Sequence, residues 1–332
     1  MSPRGKRIGK IIGLGALALI LLVALVGVVL VITKPWAPQI EVSDPGPTGE
    51  RITDDGLLAN LYPGTSGAGI LLLGGSEGGI SAGVHRQALS LQEAGFTVLA
   101  QSYWGGEGQS PRMENLPLEA FDTALARLRR APEVDPDRIA VVGGSKGAEA
   151  ALLIATRDPE LRAVVAAMPS NVAWAGIDLA EIWRMPTIGS TWSVNGAPLP
   201  YLPYASTQGG DTVDMYAASL DTLGDHPDAV IPIERAKASI LLPCGGADTL
   251  WPSCRMATAV ADRAEHTANK GQDAPSVEVL EEPKAGHMAM GPPYSGNDDL
   301  LTRYGGTAAD NRAAQERLWA RTLAFLTEYT HP

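Results

Sequence analysis

Arg138-Ile139-Ala140-Val141-Val142-Gly143-Gly144-Ser145-Lys146-Gly147-Ala148-Glu149-Ala150-Ala151-Leu152 decides the fold of this chain. The first half is a short apolar run ending in glycine, as expected of a strand buried on both faces of a sheet. The second half is Ala-rich and predicts a helix from Lys146 to Thr156, where Asp158-Pro159 stops it. Between them stands Gly143-Gly144-Ser145-Lys146-Gly147. A G-x-S-x-G motif has chemical force only at a sharp strand-to-helix turn, where small neighbours permit the strained backbone that lifts a serine hydroxyl clear of the sheet. In a chain with 37 glycines the motif alone says little, and its strand and helix context is what makes Ser145 the candidate nucleophile.

The same rhythm extends in both directions. Upstream, Gly69 to Gly75 predicts a buried strand, Val84 to Glu93 a helix, Gly95 to Ala100 a strand and Leu57 to Tyr62 an edge strand. Leu118, Phe121, Leu125 and Leu128 recur at helical spacing between Leu116 and Arg130. Downstream, Arg162 to Met168, Ser239 to Pro243 and Ser276 to Leu280 read as strands, with helices over Ser253 to Glu265 and Ala314 to Tyr329. The pattern breaks over 169–232, where Trp174, Trp183, Trp192, Tyr201 and Tyr204 gather among prolines and glycines. That composition suits either a specificity wall over the sheet edge or an ordinary peripheral excursion. The expectation is an α/β fold with a mostly parallel, doubly wound sheet and helices on both faces.

A serine hydroxyl needs a base, and the chain has five histidines. His331 is terminal, His85 precedes the serine, and His226 and His266 stand in polar surroundings. His287, in Lys284-Ala285-Gly286-His287-Met288, follows the last predicted strand, where the base-bearing loop belongs in the order serine, acid, histidine. Asp248 follows the preceding strand and is the candidate acid, against the alternative of a helix-capping aspartate near Pro252. The amide of Lys146 and that of Ser76 or Glu77, in Gly74-Gly75-Ser76-Glu77-Gly78-Gly79, are candidate donors to an oxyanion. The Lys146 and Glu77 side chains read ordinarily as a surface lysine and a surface glutamate, with an ion pair near Ser145 as the alternative. Cys244 and Cys254 bracket Asp248 and are either disulfide-bonded or two buried thiols. No H-E-x-x-H or Cys/His cluster predicts a metal, and the glycine loop lacks phosphate-cradle spacing, so no cofactor is expected.

A net charge of -11 leaves little to neutralise a nucleic-acid backbone, and 45% apolar content supports one sizeable core. Residues 11–32 carry no charge and would extend about 33 Å as a helix, which predicts a membrane span over 11–33. Arg4, Lys6, Arg7 and Lys10 precede it, which places residues 1–10 in the cytoplasm and the rest outside, with Trp36 at the interface. A cleaved signal peptide is the alternative. Residues 34–50 read as a linker and 51–332 as the catalytic domain.

Gly74-Gly75-Ser76-Glu77-Gly78-Gly79, Gly143-Gly144-Ser145-Lys146-Gly147-Ala148-Glu149, Asp248-Thr249-Leu250-Trp251-Pro252-Ser253 and Gly286-His287 with Pro292-Pro293-Tyr294 together resemble the C-terminal domain shared by acyl-CoA thioesterases and bile acid-CoA:amino acid N-acyltransferases. The resemblance implies an α/β-hydrolase fold, Ser145 in the position of the nucleophile, and Asp248 and His287 completing a triad. Members of that family often carry an N-terminal β-sandwich domain, which the stretch between Arg51 and Gly69 is too short to supply. The expected function is a membrane-anchored, extracytoplasmic serine hydrolase of an ester or thioester on a small or lipid-like acyl substrate. The alternatives are an acyltransferase that passes the acyl group to an amine or alcohol, and a noncatalytic envelope binding protein.

Overall fold

In the computed structural model the apolar runs pair into an eight-stranded sheet whose two faces are the two halves of each strand's alternation. The structure describes residues 3–37, 39–207 and 209–330, the side chains of 3–14, 16 and 18 excepted. His331 and the side chains of Arg4, Lys6, Arg7 and Lys10 therefore lie outside the described residues. In chain order the elements are α1 (Pro3–Thr33), β1 (Glu50–Ile52), β2 (Leu58–Tyr62), β3 (Gly69–Leu73), α2 (Ala82–Glu93), β4 (Thr97–Ser102) and β5 (Leu116–Pro117). Next come α3 (Glu119–Arg129), β6 (Ile139–Gly144), α4 (Lys146–Ala155), β7 (Ala163–Ala167), β8 (Trp192–Val194), β9 (Ala197–Pro198) and α5 (Thr212–Asp221). The chain closes with β10 (Ser239–Gly245), α6 (Ser253–Asn269), β11 (Val277–Glu282), α7 (Asp298–Thr302) and α8 (Ala308–Thr330).

The strand order is β1-β2-β4-β3-β6-β7-β10-β11. β1, β2 and β4 pair antiparallel, and every later pairing is parallel. Leu71, Leu73, Val141, Val164 and Leu242 point to the face covered by α3, α4 and α6, while Ile70, Leu72, Val142, Val165 and Leu241 meet Leu91 of α2 and Trp319 and Phe325 of α8. Leu57 to Tyr62, expected at an edge, lies inside β1, because a three-residue strand is too short to leave a pattern. Over 169–232 strands β8 and β9, which join β5 in a three-stranded sheet, and helix α5 replace the βα alternation. The parallel strands all end toward the same rim, and the loops there carry the candidate site. Cys244, at the end of β10, is disulfide-bonded to Cys254 in the first turn of α6.

The predicted membrane crossing is overturned: among the described residues no helix is long and apolar enough to cross a membrane. With that span fall the membrane-helix part of the fold class, the membrane as partner through 11–32, and the single-pass placement of the catalytic domain on the extracytoplasmic side. The chain divides into two compact units between Gln39 and Ile40. In the second unit Ile40 and Val42 pack on the core, and Val42 bridges Ile80. The stretch that lacks a hydrophobic period is thus laid along the loop after β3.

Candidate active site

Ser145 occupies the turn between β6 and α4 with φ 57° and ψ −122°, a left-handed conformation that L-residues adopt at a cost. The glycines around it are demanded by space. A Cβ on Gly143 would lie 2.1 Å from Gly147 O, and one on Gly147 would lie 2.4 Å from Gly74 O. The Ser145 N–H donates to Ala167 O of β7 at 2.9 Å, which fixes the turn to the neighbouring strand. Ser145 remains 7% exposed.

His287 begins a short turn after β11, and its N–H donates to Tyr304 O at 3.0 Å. Its Nδ1 lies 2.8 Å from Asp248 Oδ2, with both side chains buried. An ionised carboxylate only accepts, so Nδ1 carries the proton and Nε2 presents a lone pair. Nε2 is buried and has no hydrogen-bond partner among the described residues, the Ser145 hydroxyl included. The other Asp248 oxygen accepts from the N–H groups of Leu250 (2.9 Å) and Trp251 (3.2 Å), so the acid is held at both ends. Trp251 and Tyr304 stand edge-on to the imidazole at 5.8 and 6.1 Å.

Two residues that the sequence does not single out tie these loops together. Tyr304 O accepts from both Thr249 N (3.2 Å) and His287 N (3.0 Å), joining acid loop to base loop. Asn311 Oδ1 accepts from Gly286 N at 2.7 Å, and its Nδ2 donates to Leu301 O and Gly305 O. The signal available was slight: one asparagine in the first turn of an amphipathic helix.

The loop after β3 reaches Ser145. A Cβ on Gly75 would lie 3.1 Å from Ser145 Cβ. Tyr103 Oη donates to Gly74 O at 2.7 Å, and Trp104 Nε1 to Gly75 O at 3.5 Å. Burial, then Glu77 and Glu149, push the Tyr103 phenol well above its ordinary pKa, so it stays a donor. Ser76 and Glu77 follow on this loop. Glu77 is exposed and its carboxylate folds back over Gly74 and Gly75. Glu77 is on the surface as read, but Lys146 is buried and does not pair with it: Lys146 Nζ meets Glu149 Oε2 at 2.7 Å, one helical turn away. Among the other histidines, His85 Nδ1 is hydrogen-bonded to Tyr62 Oη at 2.7 Å. Among the described residues no group of three or more His, Cys, Asp or Glu stands in a metal-holding arrangement.

A largely parallel sheet covered by helices on both faces, with a serine on a strained strand-to-helix turn and a histidine–aspartate pair on later loops, defines an α/β-hydrolase. The chain belongs to the BAAT / acyl-CoA thioester hydrolase C-terminal family, whose model matches residues 116–332. It is 30% identical over 232 residues to the mitochondrial acyl-coenzyme A thioesterase 2 of Homo sapiens, covering 68% of this chain and 43% of that protein. It is 26% identical over 299 residues to the bile acid-CoA:amino acid N-acyltransferase of Homo sapiens, covering 87% of this chain and 66% of that one. The chain thus spans about half the length of the thioesterases it matches, 43% of the human and 58% of a mouse enzyme. In fold it is similar to an esterase of Pyrococcus furiosus, with TM-score 0.53, 14% identity and coverage of 88% of this chain and 99% of that one. An α/β hydrolase from Penicillium sp. gives TM-score 0.51 at 17% identity, covering 85% and 98%.

Proposed function

We propose that this chain is a serine hydrolase of acyl thioesters, acting through an acyl ester on Ser145. The observation that carries the reading is the buried 2.8 Å bond from His287 Nδ1 to Asp248, which leaves Nε2 as an unpartnered base. His287 Nε2 takes the proton of the Ser145 hydroxyl as Oγ attacks the acyl carbonyl carbon. The N–H of Lys146 and that of Ser76 or Glu77 receive the charge on the carbonyl oxygen. Nε2 then returns the proton to the departing sulfur, and in the second half draws a proton from water, whose oxygen displaces Ser145 from the acyl group. The relatives' names supply the substrate class, a coenzyme A thioester.

A fluorophosphonate probe tests the nucleophile: the wild type is labelled and Ser145→Ala is not. Acyl-CoA thioesters, acyl p-nitrophenyl esters and peptides compared by kcat/KM then test the leaving group, with thioesters expected to lead. A well-folded wild type that takes no label would support the noncatalytic binding reading. The similarity to the N-acyltransferases over 87% of the chain favours one second reading, transfer to an amine, which appears as amide product when amino acids are added to the thioester assay.

A further inference from the structure

Helix α4 carries a charged pair that the steps above leave unused. Lys146 and Glu149 stand in a helix whose residues are all buried, with side chains 2% and 0% exposed. Lys146 Nζ donates to Glu149 Oε2 at 2.7 Å and to Thr191 Oγ1 at 2.9 Å. The second carboxylate oxygen, Oε1, accepts from Trp192 Nε1 at 2.6 Å and from the N–H of Trp174 at 3.0 Å. Thr191, Trp192 and Trp174 all belong to the 169–232 excursion. One carboxylate therefore fastens the first turn of the nucleophile's helix to two separate stretches of the segment above it.

Stability alone gives no reason for such a pair, since apolar side chains of similar volume are as stable or more so than buried ions. Position gives one. Lys146 is the residue whose N–H is assigned to the oxyanion, and its own side chain is the one that Glu149 holds. We propose that Glu149 is a positioning residue: by anchoring Lys146 to Trp174 and Trp192 it sets the oxyanion amide relative to the overlying segment, on which the acyl group would bear. This rests on the reading of Ser145 as nucleophile. The charges around the pair are few. Tyr103 from the end of β4, and Tyr204 and Tyr216 from the excursion, face the same carboxylate, and burial raises the pKa of each phenol, so they stay neutral. Burial lowers the Lys146 pKa and Glu149 opposes that shift. Without Glu149 the ammonium loses its proton at lower pH.

The test compares Glu149→Gln, Lys146→Met, the double variant and Trp192→Phe by pH–rate profile on an acyl-CoA substrate. Glu149→Gln is expected to lose kcat by on the order of a hundredfold, with KM nearly unchanged and the alkaline limb moved to lower pH. The double variant lacks both the Lys146–Glu149 link and the lysine that titrates, so it is expected to stay as low in kcat as Glu149→Gln but without the shifted alkaline limb. Trp192→Phe keeps a smaller aromatic ring and removes one donor to Glu149, so it is expected to show a smaller kcat loss, with its folding checked by a melting curve. A Glu149→Gln enzyme with wild-type kcat and limb, a double variant that regains wild-type kcat, or a Trp192→Phe enzyme with wild-type kcat would overturn the proposal. Turnover that survives Ser145→Ala would instead defeat the nucleophile assignment beneath it.

Discussion

At Ser145 the backbone holds φ 57°, a conformation costing about 1 to 3 kcal/mol that persists only because its surroundings dictate it. Gly143 and Gly147 leave no room for a Cβ, so the turn is set by close approach of strand, helix and the loop after β3. Asp248 has all its acceptor positions directed at one task, with Oδ2 on His287 and Oδ1 on two main-chain N–H groups. Asp248→Asn keeps the shape but presents an amide that cannot hold the Nδ1–H tautomer. It is expected to lower kcat by about ten-thousandfold with near-native thermal stability, as read by steady-state kinetics and a melting curve. The three candidate residues were legible because chain order and local motif suffice for them. The Lys146–Glu149 pair was not: a lysine and a glutamate three apart read as a solvated helix edge until residues 174, 191 and 192 are brought over them.

The loop Gly74–Gly79 is an element without repeating structure of its own, held from outside. Tyr103 and Trp104 donate to its carbonyls, and Ile80 N donates to Glu41 O at 2.8 Å on the far side. Tyr103→Phe would leave a buried carbonyl short of its donor, at a cost of about 1 to 3 kcal/mol. The expected outcome is a lower Tm together with a kcat/KM reduced by about tenfold or more, since an oxyanion donor displaced by a fraction of an ångström loses much of its effect. A Cβ on Gly79 would lie 2.1 Å from Glu41 O at a φ of 60°, so Gly79→Ala should detach the 40–43 segment and raise its protease sensitivity in limited digestion. The strands and helices around this loop follow from apolar periodicity. The 40–43 contact does not, because two apolar residues in an extended stretch carry no period.

Across the molecule, stability rests on the two sheet faces with a covalent link at the acid loop. Cys244 and Cys254 are 10 residues apart, and closing so short a loop constrains the unfolded chain by about 2 to 3 kcal/mol in the entropy model. Reduction, or Cys244→Ala with Cys254→Ala, should lower Tm by about 5 °C or more, measured with and without reductant. Charge contributes with a definite sign. Hydrogen bonds from Arg263 at 2.6 and 2.8 Å hold the Glu234 carboxyl below the usual carboxylate range. A depressed folded-state pKa stabilises above the unfolded value, about 4.3, and that contribution is lost as pH falls through the folded value. The Tm gap between wild type and Glu234→Gln should therefore be open at neutral pH and close on acidification.

From the sequence alone came the βα succession and the strand-to-helix turn at Ser145, with Asp248 and His287 as candidates, because each is written in local periodicity or in the residue that follows a strand. Only the tertiary structure decided what stands against α4, which segment clasps the glycine loop, and that Tyr304 and Asn311 join the acid and base loops. Those are contacts between residues far apart in the chain, and a buried ion pair or a shared carbonyl acceptor exists only once both partners have been brought together and water has been removed from between them. The predicted membrane span is not borne out: among the described residues no helix is long and apolar enough to cross a membrane.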